Sequence, residues 1–560
     1  MVRSPGSGRW IDVLWLLAVG GLSSAWCLTA APKLGATFDE PFYLNAGLTH
    51  WRTGSNKLLM SAGTMTLPVD LQTLPLYLWE RIRGTPFDST ADIETILPVA
   101  RGMTLFFWWL LLVYAMRLGR TFGGTWGGRF AVAFVGFDPN FLGHACLATS
   151  DIAVAGCMLG LVYHAFYGIG RNWSRRVFIP GLWFGLAILA KASGMVFGMQ
   201  ALLVLGFDHL IRTDRLKPPK GTSHVQKFVF FWHACYPLRK DLFGIAAIGF
   251  ALVFLYTGSD FQTERTFVEW ADTLPEGPVK DVMEPVSRNL CIFTNAGEGL
   301  LQQVKHNLRG HGTYFLGDWY ERATWKYFPV ALTMKVPVPM LLLLSAVIAL
   351  RPRSLNSPLG WFALVLLLFS LNCRVQLGIR FMFTLMAVTY VALAAAISRG
   401  WTGDGMRTIP RGVAIGILGT LIAASTWAWP DGICYFNQLW GGTPDGHKYL
   451  HDSNHDWGQG LPELKNWQRT HGEPPLAVWY YGTDPAVLKP PFRNAPLHIV
   501  PVPSLEAFHK SFGHGYFAVG CSLLYGYVEL DPQTRLALSW LRILTPVDRT
   551  GQFFIYDLRK

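Results

Sequence analysis

Apolar residues in this chain gather into long, nearly unbroken runs rather than the three- and four-residue spacing of a helix that buries one face. Runs recur near 11–31, 97–117, 128–147, 150–169, 177–190, 193–211, 242–257, 329–350, 358–372, 379–397 and 410–429. A bilayer needs about twenty apolar residues per helix, so these stretches predict about eleven spans. The runs 177–190 and 193–211 are parted only by Lys191-Ala192, and read either as a tight hairpin or as one long bent element. After residue 430 the pattern changes. Short runs such as LAVWYYG, HIVPVP, GYFAVGCSLLYGY and GQFFIYDL, set between Pro, Gly and Asp, predict strands, with helices over about 461–470 and 534–542. The expected architecture is an all-α polytopic membrane domain over 1–430 and a small α/β domain over 431–560.

Composition agrees with that class. Of 560 residues, 51% are hydrophobic and only 15% charged, and the mean hydropathy of +0.27 is too high for a soluble chain of this size. With the N-terminus inside, the inner connections are Arg117–Arg120, Gly168–Arg176, Arg212–Lys240, Arg351–Arg353 and Ser398–Arg411, which hold most of the membrane-proximal Lys and Arg. The loops 32–96 and 258–328 and the C-terminal domain then face outward, as expected of a multi-pass protein of a bacterial inner membrane. The net charge of +12 is mostly this orientation signal. Its dispersal among short loops excludes a nucleic-acid surface. The first apolar run is too long for a cleaved leader and reads as an anchor. The eight cysteines form no CxxC pair, and buried free thiols are favoured over pairing among the four on the outer side.

The candidate chemistry is acidic. Asp39 and Glu40 stand in TFDEPFYLNAGLTHW, just after the first span, where charge is costly unless it has a role, a partner or water. The plainer alternative is a solvated loop with a helix-capping acid. A second group, Asp138, His144 and Asp151, brackets the outer turn between the third and fourth spans, and there a capping role for Asp151 competes with function. On the outer face Asp39 and Asp151 can divide proton abstraction and binding of a divalent cation between them. No GxxxxGK[ST] loop and no strand followed by GxGxxG is present, so no nucleotide cofactor is expected. His447, His451 and His455 are dense enough to suggest a metal, but flanking Asp-Ser-Asn and Gly favour a turn.

In order along the chain, several stretches resemble the GT-C glycosyltransferases, membrane enzymes that move a sugar from a polyprenyl-phosphate carrier. The likeness is greatest to the bacterial relatives of the protein mannosyltransferases and aminoarabinose transferases. FDEPFYLNAGLTHWRTG is similar to that family's first outer loop, and DPNFLGHACLATSDIAV to its third-to-fourth span turn. GLWFGLAILAKASGMVF resembles the hairpin that follows. TYFLGDWYERATWKYFPVALTMKVPVPMLLL resembles the outer loop entering a span through Lys-x-Pro, and NCRVQLGIRFMF the Gly-x-Arg turn. YFNQLWGGTPDGHKYLHDSNHDWGQGL is similar to a segment after the last span in one branch. The family's N/H-P-P-L element is replaced by MTLPVDLQTLPL, which has no histidine and adds Asp70 and Gln72.

The resemblance implies a polyprenyl-phosphate sugar donor, a hydroxyl acceptor whose identity stays open, membrane lipid as surroundings, and an inverting displacement at the outer face. Such a displacement needs a base for the acceptor and positive charge for the departing phosphate. Asp39 is the candidate base with Glu40 behind it, or the reverse, since adjacent residues point different ways. Arg380, Lys335 and Arg374 are candidate phosphate ligands. Arg380 fits best, because a forked guanidinium can engage two phosphate oxygens. His144, Asp452, Asn454 and Asp456 are further candidate substrate contacts. A carrier or flippase for a lipid-linked or polar solute is the alternative, and would place its functional charges at mid-membrane.

Overall fold

Each of the eleven apolar stretches is helical in the computed structural model, which describes residues 7–219, 221–259, 261, 263–291, 294–399, 409–526 and 532–559. Most of the connection Ser398–Arg411 and the end of the run GYFAVGCSLLYGY lie outside the described residues. Six helices among the described residues are long and apolar enough to cross a bilayer, or seven if the bent pair Tyr327–Lys335 and Val338–Leu350 is one span. The chain is thus an integral membrane protein, and the difference from eleven has local causes.

Helix Ile93–Gly136 is one such cause, because it is two spans rather than one. Gly124 (φ 68°, ψ −163°) interrupts it within GGTWGG, a left-handed position that costs glycine little. A Cβ on Gly119 would lie 2.4 Å from the Gly127 carbonyl oxygen, so the two limbs run back along each other with backbones in contact. A Cβ on Gly123 would meet Ala395 Cα at 2.5 Å, which brings helix Phe383–Arg399 against the same turn. Such close approach is how small residues hold membrane helices together. Further on, Pro337 lacks the N–H a continuous helix would need, and the chain bends 115° there. Between helices Ile179–Ala190 and Ser193–Arg212, extended Lys191 (φ −164°, ψ 141°) makes the break.

The two long connections are structured. Residues 32–96 carry helices Glu40–Thr53, Lys57–Ser61 and Thr66–Arg83. Residues 258–328 carry helices Arg265–Asp272, Pro278–Asn289 and Thr294–Arg309, then an antiparallel hairpin of β1 (Thr313–Phe315) and β2 (Asp318–Tyr320). Toward the C-terminus a five-stranded mixed sheet is ordered β4 (Phe492–Asn494), β3 (Leu476–Trp479), β5 (Gly515–Gly520), β7 (Phe553–Leu558), β6 (Asp548–Arg549). Helices Leu461–Thr470, Leu505–Phe512 and Pro532–Leu541 accompany it. The stretch HIVPVP is not the strand its composition predicts. Pro501 and Pro503 have no N–H for a ladder, and Phe492–Asn494 takes the edge beside β3 instead.

Between the last span and the sheet, residues 431–460 run in short 3₁₀ turns whose apolar side chains Ile433, Phe436, Leu450 and Trp457 join the core of the membrane helices. The sheet has its own cores around Trp479, Phe517 and Val519 on one face and Val478, Ala518 and Ile555 on the other.

The hairpin at Gly124 depends on the absence of side chains at the contact. Gly119→Val should cost at least the ~1–3 kcal/mol of an overpacked core and lower the melting temperature in detergent. Gly102→Ala, where a Cβ would meet nothing within 4 Å, should leave it unchanged.

Candidate active site

Asp39 is the residue before helix Glu40–Thr53, yet its carboxylate makes no capping hydrogen bond. It accepts instead from Arg380 Nη1 at 3.0 Å. The same nitrogen lies 3.8 Å from Asp151 Oδ2, and Lys191 Nζ donates to Asp151 Oδ1 at 2.5 Å. Four charges from four separate parts of the sequence thus alternate in sign: Asp39, Arg380, Asp151, Lys191. Asp39, Lys191 and Arg380 line a cavity of about 230 Å3 together with Tyr43, Gln303 and His306. Asp151 lies behind it, 1% exposed against 26% for Asp39.

Local structure explains how Arg380 arrives there. The turn Gly378-Ile379-Arg380 opens the span that continues through helix Phe383–Arg399. Gly378 has φ 154°, and a Cβ on it would fall 2.1 Å from Ser453 Oγ. That hydroxyl donates to the Leu377 carbonyl, and Asn454 Oδ1 accepts from the Ile379 N–H at 2.9 Å. Residues 453–454 therefore clamp the turn from outside. The guanidinium rests over the Trp457 ring at 4.1 Å, and its buried Nε has no partner among the described residues.

Glu40 points the other way. It is fully buried and accepts from Arg101 Nε at 2.9 Å and Nη2 at 2.6 Å, from the Thr37 N–H and hydroxyl, and from the Ala148 N–H. Burial alone would raise its carboxyl, but the charge of Arg101 and these donors outweigh it and hold the group below its usual value. No acceptor site on it is left for chemistry.

Other expected site residues are distributed as follows. Lys335 is not at the cavity. Its ammonium is buried and donates to the Ile433 carbonyl at 2.7 Å and the Asn454 carbonyl at 2.8 Å, so it serves as a strut under the 431–460 segment. Arg374 is exposed, reaches the Leu308 carbonyl at 3.2 Å and lies outside the cavity lining. His144 is buried against Phe383 and Trp457, also off the lining. Asp452 accepts from the Tyr481 hydroxyl at 2.7 Å, and the Tyr481 ring stacks on Phe38 beside Asp39. Asp456 belongs to the sheet side. It accepts from the Ser522 and Gly458 N–H groups, and burial pushes its carboxyl up to about 7. Missed in the sequence was Lys191, read there only as a break between two apolar runs. A lone cation between two apolar runs was the available signal.

The two carboxylates expected to share a divalent ion are instead bridged by Arg380, with Lys191 on the far oxygen of Asp151. A donor set already neutralised by two cations does not fit a divalent ion. Among the described residues no group of three or more His, Cys, Asp and Glu could hold a metal.

The family described as dolichyl-phosphate-mannose-protein mannosyltransferase matches residues 103–232. Among solved structures, the chain is similar to the archaeal oligosaccharyltransferase AglB from Archaeoglobus fulgidus, in complex with an inhibitory peptide and a dolichol-phosphate. The identity is 14% over 98% of this chain and 75% of that one, with a TM-score of 0.44. It is also similar to ArnT from Cupriavidus metallidurans bound to undecaprenyl phosphate, at 14% identity over 98% of both chains and a TM-score of 0.30. The arabinosyltransferase EmbB from Mycobacterium smegmatis is similar at 13% identity over 76% of this chain and 38% of that one, with a TM-score of 0.37. No curated protein sequence matches. The resemblance to GT-C glycosyltransferases is borne out by the family match.

If Glu40 is a clamp, replacing it should act on stability. Glu40→Gln leaves the Arg101 charge buried without its counter-ion, a loss of about 3–5 kcal/mol visible as a fall in melting temperature. The folded carboxyl titrates below its ordinary 4.5, so its contribution is complete above that pH and is lost as pH falls through the depressed value. A variant with unchanged melting but lost turnover would return Glu40 to the chemistry.

Proposed function

We propose that this GT-C-type glycosyltransferase moves a sugar from a polyprenyl-phosphate donor to an acceptor hydroxyl at the outer face of the membrane, with Asp39 as base and Arg380 and Lys191 as the cations for the departing phosphate. The observation that carries the reading is the half-exposed Asp39 carboxylate and the Arg380 guanidinium facing one cavity 3.0 Å apart. The donor class is that named in the matching family, a sugar on a dolichyl-type phosphate. In this reading residues 1–430 form the membrane domain that holds the site, and 431–560 form an extracytoplasmic domain.

In the reaction, the acceptor hydroxyl loses its proton to Asp39 as its oxygen forms a bond to the anomeric carbon. The bond from that carbon to the phosphate oxygen breaks, its electron pair stays with the polyprenyl phosphate, and configuration inverts. Negative charge builds on the phosphate, where a forked guanidinium and an ammonium are worth most. Without donor the four charges cancel in pairs. A bound phosphate competes with Asp39 for Arg380, and so frees the carboxylate to take a proton. Asp151 then holds both cations from behind without touching substrate.

A carrier would place its charges within a passage at mid-membrane. Here Arg380 opens its span rather than sitting midway along it, and it pairs with acids at the start of two other helices, which favours transfer over transport.

Asp39→Asn should lower turnover by roughly 100- to 10,000-fold with protein level unchanged. Because the competing carboxylate is gone, the variant should bind undecaprenyl phosphate at least as tightly as the parent. Normal transfer by it, measured with purified protein and polyprenyl-phosphate sugars, would defeat the assignment. Arg380→Lys keeps the charge and loses the fork, and should weaken donor use by about 1–3 kcal/mol, read as a rise in donor KM. Retained donor use with Arg380→Ala would move the phosphate role elsewhere.

A further inference from the structure

Between the β1–β2 hairpin and the C-terminal sheet lies a second and larger cavity, about 670 Å3, within the range of ligand sites. The hairpin contributes Tyr314 and Trp319 to its walls, and the sheet side contributes Tyr525, Phe554 and Tyr556. Polar groups are set among these rings. Arg542 spends Nε and Nη2 on the Leu524 carbonyl, at 3.1 and 2.6 Å, which leaves Nη1 uncommitted among the described residues. The Tyr525 and Tyr556 hydroxyls and the Asp318 carboxylate, all on the lining, have no hydrogen-bond partner among the described residues.

The cleft points toward the site already described. Tyr314 and Trp319 also line a neck of about 20 Å3, with Gln376, His451 and Asp452. Its volume suits a single water-sized group. Leu377 then lines both the neck and the cavity beside Asp39. At the neck, His451 is 5% exposed and its Nε2 has no partner among the described residues. A buried donor or acceptor left open in this way costs free energy unless a ligand or water satisfies it.

We infer that this aromatic cleft is the docking site of the acceptor, and that the acceptor is a saccharide. A sugar ring presents a C–H face to an aromatic ring and hydroxyls at its edge, so the open tyrosine hydroxyls, the Arg542 arm and the Asp318 carboxylate can each be satisfied by one ligand. A lipid chain would bury those groups unpaired, at a cost. A polyanion would meet one uncommitted cation offset by an acid. The word acceptor rests on the transferase reading; the saccharide site does not.

The test uses the full chain in detergent micelles, with maltotriose, cellotriose, mannotriose and chitotriose as probes, followed by saturation-transfer NMR and tryptophan fluorescence. At least one trisaccharide should bind. Trp319→Ala should weaken that binding about tenfold, as loss of a central aromatic contact does. Tyr525→Phe, which removes only a hydroxyl and guards against misfolding of the first variant, should weaken it severalfold. Both should bind undecaprenyl phosphate as the parent does. Failure of every trisaccharide to bind, or binding unchanged in both variants, overturns the inference, as does an unfolded polypeptide that binds in a Trp319-dependent way while no saccharide does. Saccharide binding together with normal transfer by Asp39→Asn would leave the cleft standing and the proposed mechanism refuted. Lost transfer in that variant with no saccharide bound would do the reverse.

Discussion

A guanidinium shut away from water must find all its acceptors in protein, and Arg101 finds them in one short stretch of chain. It donates to the carbonyls of Ala31, Leu34 and Gly35 and to both oxygens of Glu40. Those contacts fix the path from the end of the first span to the start of helix Glu40–Thr53. Since Glu40 also accepts from the Ala148 N–H, the same ion pair ties that path to the turn that leads into Asp151. The position of the whole acidic edge follows from one buried pair. A pair of this kind adds little net stability over an apolar replacement, but breaking it is costly, which is how it confines a loop to one conformation.

Asp39 owes its availability to that arrangement. With Glu40 held inward by Arg101, the preceding side chain is free to face the cavity, where Arg380 meets it. Two adjacent carboxylates thereby receive opposite environments: one saturated with donors and inaccessible, the other 26% exposed beside the Arg380 guanidinium. The segment 431–460 performs the matching task for Arg380. Asn454 and Ser453 grip the Gly378 turn, while Lys335 grips Asn454 and Ile433 from below.

Much of this was legible in the sequence, and the reasons differ by residue. Apolar runs identify apolar helices because the bilayer demands length, so all eleven runs prove helical, while six or seven helices among the described residues are long enough to cross. The break at Lys191-Ala192 was visible in the sequence, and Gly124 and Pro337 break the helices through their own backbone chemistry. Asp39 and Arg380 were legible because a charge beside a span is costly without a role. Lys335 carried the same signal and was misread, because what satisfies it is a pair of carbonyls about a hundred residues away, which no local pattern shows. Lys191 was overlooked for the opposite reason, since its apolar neighbours made it look like a mere interruption. In the C-terminal region short apolar runs set between Pro, Gly and Asp located β3, β5 and β7, but in HIVPVP the two prolines have no N–H for a ladder, and composition alone did not weigh that.

Under the proposed mechanism, the four alternating charges also bear on when Asp39 can act as the base. Without donor the Asp39 carboxylate is occupied by Arg380 Nη1 at 3.0 Å. A phosphate that takes over the guanidinium leaves that carboxylate open to the acceptor hydroxyl. Donor binding and base activation then become one event rather than two, and a water molecule that enters before the lipid-linked sugar meets a carboxylate still held by Arg380. Asp151, buried behind both cations, makes the exchange possible: as the phosphate draws Arg380 from Asp39, a second carboxylate 3.8 Å away keeps the guanidinium from leaving the site with it.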